Sequence, residues 1–265
     1  MARSPTTERK AARAAFLDAA GWGAARVAAF PGDASTRAYF RLADGDRQAI
    51  LMDAPGGAEA PACPPDADPE TRAQLGYNAQ ARLAGPDTAA FAAIAQALSA
   101  RGFYAPQIFE ADLDAGFLIL EDLGDDLFAR VIPQRAHEGA LYAAAVDALA
   151  AIYRSSFEAE PSALGRSWRI QDYDETALLA ETHLFLDWYA PERGAAPSKA
   201  ARAHWDAAWR TAFTRLDGHA PGLTLRDFHA ENLIWRPDRD AEASVGLLDF
   251  QDALFGHPAY DLMSL

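Results

Sequence analysis

The spacing of apolar residues predicts that the first part of the chain is rich in strands. An amphipathic helix comes first, opened by Ser4-Pro5 as an N-cap followed by a first-turn proline. Apolar and polar positions then alternate with a period of two, which is typical of strands that bury one face. This alternation predicts strands near 26–30, 37–43 and 47–53. Two more strands are predicted further on, the second at the apolar run 117–120.

Helical spacing, with apolar residues three and four positions apart, occurs near 70–83 and 87–101. The second helix is predicted to end beside Gly102, because glycine is favoured just past a helix end. Most of the Ala-rich stretch 134–218 has the same helical spacing. Residues 54–70 are rich in Pro, Gly and Ala and predict a flexible loop. The last third returns to short strands, predicted at 232–236 and 244–250.

These patterns predict an α+β fold with two lobes. We expect a β-rich N-terminal lobe over residues 1–123. We expect a helical lobe over residues 124–265, joined to the first at the sequence EDLGDD. A cleft between two such lobes is a favoured site for a small molecule.

Composition narrows the function classes. The chain has 265 residues, of which 50% are hydrophobic and 23% charged, as in ordinary globular proteins. Its net charge of −14 argues against nonspecific binding of nucleic acid, which needs basic residues on phosphates. A single Cys63 excludes an internal disulfide, and no segment has the length of a membrane span. We therefore expect a monomeric cytoplasmic protein without nucleic-acid or membrane partners.

Three polar residues near the C-terminal end form the most informative pattern. Asn232 begins one predicted strand and Asp249 ends the next, so an antiparallel hairpin would place them side by side. An amide oxygen and a carboxylate are ligands that Mg²⁺ uses when phosphates complete its shell. Asp227, in the preceding loop, would lie at the same edge and accept a proton from a substrate hydroxyl. An Asp, an Asn five residues later and a strand-end Asp are the working set of phosphoryl transfer in the kinase fold.

The segments LRDFHAENLIW and LLDFQDALFGHPAYDLMSL resemble the aminoglycoside phosphotransferase/choline kinase-like superfamily. The segments GDASTRAYFRL, LMDAP and FLILEDLG are most similar to bacterial kinases that phosphorylate the anomeric hydroxyl of N-acetylmuramate and N-acetylglucosamine in cell-wall recycling. The resemblance implies a two-lobed protein-kinase-like fold, ATP and Mg²⁺ as cofactors, and a small-molecule amino sugar as acceptor. It implies Asp227 as catalytic base and Asn232 and Asp249 as Mg²⁺ ligands.

The chain departs from the family pattern at two positions. Leu225 stands where the family loop usually has a His, and Met52 stands where kinases carry a phosphate-anchoring lysine. Arg37 and Arg41 are the candidate replacements, since they share one face of a predicted strand and Arg binds phosphate through two N–H groups. A hairpin with solvent-facing arginines is the alternative. The loop ahead of them adds backbone amides and the candidate phosphate contacts Gly32, Ser35 and Thr36.

Further site candidates follow from the resemblance. The Glu121 carbonyl and the Leu123 amide are expected to pair with the adenine edge. His229 and Asp252 are candidates for acceptor contacts; His229 could instead pack the loop, and Asp252 could instead form a structural ion pair with Arg226. Asp261 is expected to cap the last helix or to brace the catalytic loop.

Two other functions stay open. A choline- or antibiotic-type kinase would suit the acidic composition. An ATP-binding pseudokinase fragment would suit Leu225 and Met52, together with the expectation that the helical lobe lacks its last helices.

Overall fold

The structure is a computed structural model that describes residues 6–31, 37–56, 62–83, 87–134, 138–216 and 218–265. Helix α1 spans Thr7–Ala19 and is capped by Thr6, whose hydroxyl accepts from the Arg9 amide at 3.2 Å. The predicted start at Ser4-Pro5 lies outside the described residues. Within the described ranges, none of the helices is both long and apolar enough to cross a bilayer.

Five antiparallel strands form one sheet in the order β1-β2-β3-β5-β4. They are β1 (Arg26–Ala29), β2 (Ala38–Asp44), β3 (Arg47–Asp53), β4 (Ile108–Asp112) and β5 (Phe117–Leu120). The predicted strands are confirmed to within one or two residues, because alternation of polar and apolar positions is a local property of a half-buried strand. Helix α1 covers one face of the sheet, where Leu17 and Trp22 pack against Leu51 and Phe117.

Helices predominate over strands in the chain after this sheet and also lie between β3 and β4. They are α2 (Pro69–Leu75), a π-helical turn (Asn78–Arg82), α3 (Thr88–Ser99), α4 (Phe128–Val131), α5 (Glu138–Arg154), α6 (Glu175–Leu184), a second π-helical turn (Phe185–Tyr189), α7 (Ala190–Glu192), α8 (Lys199–Phe213) and α9 (Ala259–Ser264), with 3₁₀ turns at Ile132–Gln134 and Ala241–Ser244. The helix predicted over 70–83 is broken at Gly76, which has a φ of +96°. The main core joins the sheet to the helices through residues such as Leu118, Ile94 and Leu149.

Short hairpins frame the end of the chain. The strands are β6 (Ser162–Ala163), β7 (Arg166–Ser167), β8 (Gly222–Thr224), β9 (Leu233–Trp235), β10 (Val245–Leu247) and β11 (Leu254–Gly256). Strand β9 pairs with β10, which confirms the predicted hairpin, and β8 pairs with β11. The pattern does not predict β8 and β11, because their partners lie 30 to 34 positions apart, whereas those of β9 and β10 are joined by one short loop.

Residues 62–83, named here the 62–83 segment, pack against the helical part of the chain. Arg72 is buried and forms an ion pair with Asp174, the N-cap of α6. The Gln171 side chain donates to the Cys63 carbonyl at 3.0 Å and to the Leu83 carbonyl at 3.1 Å. Residues 62–68 form the predicted loop, whereas α2 begins at Pro69, inside the range predicted as loop. The Arg72 and Gln171 side chains hold the segment against α6 and the residues just before it.

Candidate functional site

The loop between β8 and β9 carries Asp227 and is fastened at its start by Asp261 of α9. One oxygen of the Asp261 carboxylate accepts from the Leu225 amide at 2.7 Å, and the other accepts from the Arg226 amide at 2.8 Å. Asp261 is 1% exposed, and this burial raises the pKa of its carboxyl to about 6. The prediction that Asp261 braces the loop is confirmed.

Asn232 and Asp249 lie at adjoining ends of the β9–β10 hairpin, as predicted. Leu233 pairs with Leu247, and the Leu248 amide donates to the Asn232 carbonyl at 3.0 Å. Asp249 follows with a φ of +55°, a left-handed conformation that Asp tolerates better than most residues. The hairpin therefore brings together two residues that are 17 positions apart in the chain.

Asp227 lies close to both of these residues. The Asn232 side-chain amide donates to the Asp227 carbonyl at 3.0 Å and to His229 Nε2 at 3.3 Å. Burial raises the pKa of the Asp227 carboxyl, and repulsion from Asp249 and Asp252 raises it further. The loop thus concentrates negative charge at one place, which is an environment that attracts a cation.

The Asn232 and Asp249 side chains are chemically suited to Mg²⁺. The Asn232 side chain forms these two hydrogen bonds through its nitrogen, so its oxygen is the atom that can coordinate a metal. The Asp249 side chain is 41% exposed and therefore accessible to solvent. Among the described residues, no group of three or more His, Cys, Asp or Glu side chains could hold a metal by itself. A pair of oxygen ligands fits an ion that phosphates and waters also coordinate.

The two candidate arginines occupy different surroundings. Arg37 Nη1 lies 3.5 Å from Asp249 Oδ1, and its side chain is 7% exposed, so it crosses from the sheet to the proposed metal ligand. Arg41 instead forms ion pairs with Asp122 and Asp125, at 2.6 and 2.9 Å. Both belong to residues 121–126 after β5, named here the interlobe segment. The residue spacing does not distinguish Arg37 from Arg41. The acidic run EDLGDD is the one feature of the sequence that indicates an ion-pair partner for an arginine. The other three candidates, Gly32, Ser35 and Thr36, lie outside the described residues.

The strand position that carries the lysine in other kinases faces the core. Met52 on β3 is 1% exposed and lies between Tyr39 of β2 and Leu118 of β5. Its neighbour Asp53 is buried and bound by Arg9 of α1, whose Nε donates to Asp53 Oδ1 at 2.7 Å. The LMDAP motif therefore joins α1 to the sheet.

The interlobe segment after β5 contains the predicted adenine contacts. The Glu121 side chain accepts from the Tyr104 hydroxyl, and Arg236 Nη1 donates to the Leu123 carbonyl at 3.4 Å. Within the described ranges, neither the Glu121 carbonyl oxygen nor the Leu123 amide forms a hydrogen bond to the protein. These two groups can therefore pair with a ligand.

The candidate Asp252 is buried beside the loop that carries Asp227. It is 3% exposed, and its charge raises the pKa of both Arg226 and Asp227. The Arg226 guanidinium forms its ion pair with Glu181 of α6. The residue spacing gave no sign of that partner, because Glu181 lies 45 positions earlier in the chain.

The amino-acid sequence of the chain is similar to those of known kinases. The chain is 46% identical over 260 residues to an N-acetylmuramate/N-acetylglucosamine kinase of Caulobacter vibrioides, covering 98% of this chain and 72% of that protein. It is 33% identical over 257 residues to a kinase of the same name from Pseudomonas aeruginosa, covering 93% of this chain and spanning 62% of that relative's length.

Solved structures show the same fold at low sequence identity. A choline/ethanolamine kinase family protein from Mesorhizobium loti has a TM-score of 0.55 at 13% identity, over 97% of this chain and 69% of that one. Choline kinase LicA from Streptococcus pneumoniae also has a TM-score of 0.55 at 13% identity, over 98% of this chain and 74% of that one. The predicted α+β, protein-kinase-like fold is confirmed.

The model of the phosphotransferase enzyme family, abbreviated APH, matches residues 26–265. This span includes the sheet, the interlobe segment and the loop that bears Asp227. The chain therefore belongs to the phosphotransferase enzyme family, as its motifs predicted.

Proposed function

We propose that this chain is an ATP-dependent kinase that phosphorylates the anomeric hydroxyl of N-acetylmuramate and N-acetylglucosamine. The observation that carries the proposal is the convergence of Asp227, Asn232 and Asp249 at one end of the β9–β10 hairpin. The acceptor class follows from the names of the Caulobacter and Pseudomonas relatives. With ATP as donor, the proposal places the protein in the cytoplasm, as a monomer that takes a small amino sugar.

Asp227 is the proposed catalytic base. Its carboxylate would accept a hydrogen bond from the acceptor hydroxyl, orient that oxygen towards the phosphate and take its proton. Because burial and nearby carboxylates raise the pKa of Asp227, it is a stronger base than an exposed Asp. His229 and Asp252, which border it, are the proposed acceptor-side contacts.

Asn232 and Asp249 are the proposed ligands of Mg²⁺. A bound Mg²⁺ would neutralise charge on the ATP phosphates. The hydrogen bonds of the Asn232 amide fix the direction of its oxygen, and the strand pairing fixes its distance from Asp249. These residues would thus hold the ion without rearrangement, which is how most of the catalytic effect arises in phosphoryl transfer.

Arg37 is the cation that we propose in place of the missing lysine. It already touches Asp249, beside which the phosphates would lie, and its planar guanidinium can contact two phosphate oxygens at once. Arg41 would act next to it by joining β2 to the interlobe segment. The loop bearing Gly32, Ser35 and Thr36 would supply backbone amides to the phosphates.

The adenine is proposed to bind the main chain between the lobes, through the Glu121 carbonyl and the Leu123 amide. This assignment divides the chain into a nucleotide-binding lobe over residues 1–123 and a catalytic lobe over residues 124–265. The supporting observation is that every strand of the five-stranded sheet precedes Glu121.

An ADP-release assay with Mg-ATP tests the proposal against its alternatives. N-acetylmuramate and N-acetylglucosamine should support turnover, with the Asp227→Asn variant as the inactive control. Turnover with choline or kanamycin, and with neither amino sugar, would show that the acceptor is not an amino sugar of this class. Binding of Mg-ATP without ADP release for any of the four acceptors would favour a pseudokinase.

A further inference from the structure

Arg226 lies directly before the proposed base, and its side chain contacts residues outside the loop. Its guanidinium forms an ion pair with Glu181 of α6, and Nη1 donates to the Ala81 carbonyl of the 62–83 segment at 3.1 Å. The guanidinium carbon also lies 5.1 Å from the centre of the Tyr173 ring. One side chain therefore connects the loop that carries Asp227 to α6 and to the 62–83 segment.

The backbone of Arg226 needs such support. Its φ is +74°, a left-handed conformation that is costly for residues other than glycine. The Asp261 carboxylate holds its amide at 2.8 Å, and the Asp227 amide donates to the Leu225 carbonyl at 3.0 Å across this tight turn. Because Asp227 directly follows the turn, its direction depends on the conformation of Arg226.

Because the Arg226 side chain is buried, its contacts with the protein are required for stability. Arg226 is 9% exposed, so its charge must be compensated by the protein rather than by water. Glu181 supplies that compensation and also accepts from the Tyr260 hydroxyl at 3.1 Å, which orients the carboxylate. A guanidinium held by a carboxylate and a carbonyl has little freedom to turn.

We propose that Arg226 is a positioning residue for the kinase reaction, which holds Asp227 in place by linking its backbone to Glu181 of α6 and to the Ala81 carbonyl. The inference rests on the proposed function, since it assigns Asp227 as the base. The 62–83 segment thereby becomes part of the catalytic architecture: where it packs decides where the base points.

The test compares Arg226→Gln with Arg226→Lys and Glu181→Gln. Misplacing a reacting group by about 1 Å costs about 100-fold in rate, so kcat of Arg226→Gln should fall about 10- to 100-fold. The KM for ATP should stay within about twofold of the native value, because the nucleotide contacts lie elsewhere. Arg226→Lys should recover part of kcat, since an ammonium can still pair with Glu181. Glu181→Gln covers the case in which Arg226→Gln does not fold, and its kcat should fall as well.

Arg210→Gln is the matched control. Arg210 also forms an ion pair with a glutamate of α6, Glu175, but both side chains are exposed. Its kcat should equal that of the native chain. A purely structural role for Arg226 would lower the melting temperature and leave kcat per folded molecule unchanged, and that result would overturn the inference. So would a parallel loss of ATP binding and kcat.

Amide hydrogen exchange separates this inference from the proposed function. Arg226→Gln should speed exchange at the Leu225 and Arg226 amides and leave strands β2 and β3 unchanged. If no amino sugar supports turnover by the native chain, the proposed kinase function fails, and the exchange comparison still decides whether Arg226 holds the loop. Unchanged exchange at both amides would refute that role.

Discussion

The buried Asp261 leads to a prediction about stability and pH. Its carboxylate accepts from the Leu225 and Arg226 amides, which favours the ionised form, whereas burial disfavours it. Burial wins, and the pKa of Asp261 rises from 3.8 to about 6. One pKa unit corresponds to about 1.4 kcal/mol, so the ionised form costs the folded chain about 3 kcal/mol at neutral pH.

Replacing Asp261 with Asn mimics the protonated carboxyl at every pH. Because the folded pKa is raised, the native carboxyl contributes stability fully below pH 3.8 and loses that contribution as pH rises through 6. We expect the free energy of unfolding of Asp261→Asn, relative to the native chain, to rise by about 2.5 kcal/mol between pH 4 and pH 7.5. At pH 7.5 the variant should be at least as stable as the native chain.

Urea denaturation at a series of pH values measures the difference in free energy of unfolding between Asp261→Asn and the native chain. Contributions from groups that titrate identically in both proteins cancel in this difference. If the two amide bonds outweigh burial, the pKa of Asp261 lies below 3.8 instead. The Asn variant would then be less stable at pH 7.5 by about 1.5–3 kcal/mol, the value of a hydrogen bond to a charged group, and the reasoning would be refuted. A difference independent of pH would refute it as well.

Three further predictions concern the site and its support. Asp227→Asn should keep Mg-ATP binding and lose about 10²–10⁴-fold in kcat, the usual contribution of a positioned base; a near-native kcat would remove it from that role. Asp249→Ala should abolish the Mg²⁺-dependent part of nucleotide binding in calorimetry run with and without Mg²⁺, and equal affinities in native and variant chains would contradict its assignment as a ligand. Arg72→Gln should destabilise the chain by about 2–4 kcal/mol in urea, because it leaves Asp174 and two carbonyls without their buried partner; a loss equal to that of the exposed control Arg210→Gln would show that the 62–83 segment adds little.

Local pattern predicted most of the sheet but not its finer partners. Strands such as 47–53 and 117–120 were found because their residues alternate or form an apolar run over at least four positions. Strands β8 and β11 are as short as β9 and β10 but pair across 30 to 34 positions of chain, so no local hairpin pattern marks them. Composition predicts the loop at residues 62–68, but not its contact with Gln171, which lies 108 positions away from Cys63 in the chain.

The sequence alone determined the chemistry of the loop. Asp227 and Asn232 are five residues apart, and the hairpin that brings Asp249 beside them follows from strand pattern and loop length, so their convergence needed no distant information. Tertiary structure decided the rest. Arg37 and Arg41 look alike in sequence, yet one meets Asp249 at a separation of 212 residues and the other meets Asp125 at 84. Packing of the lobes fixes such contacts, and it also pairs Arg226 with Glu181. The reason is physical: periodicity reports which face of an element is buried, whereas an ion pair depends on which other element that face meets.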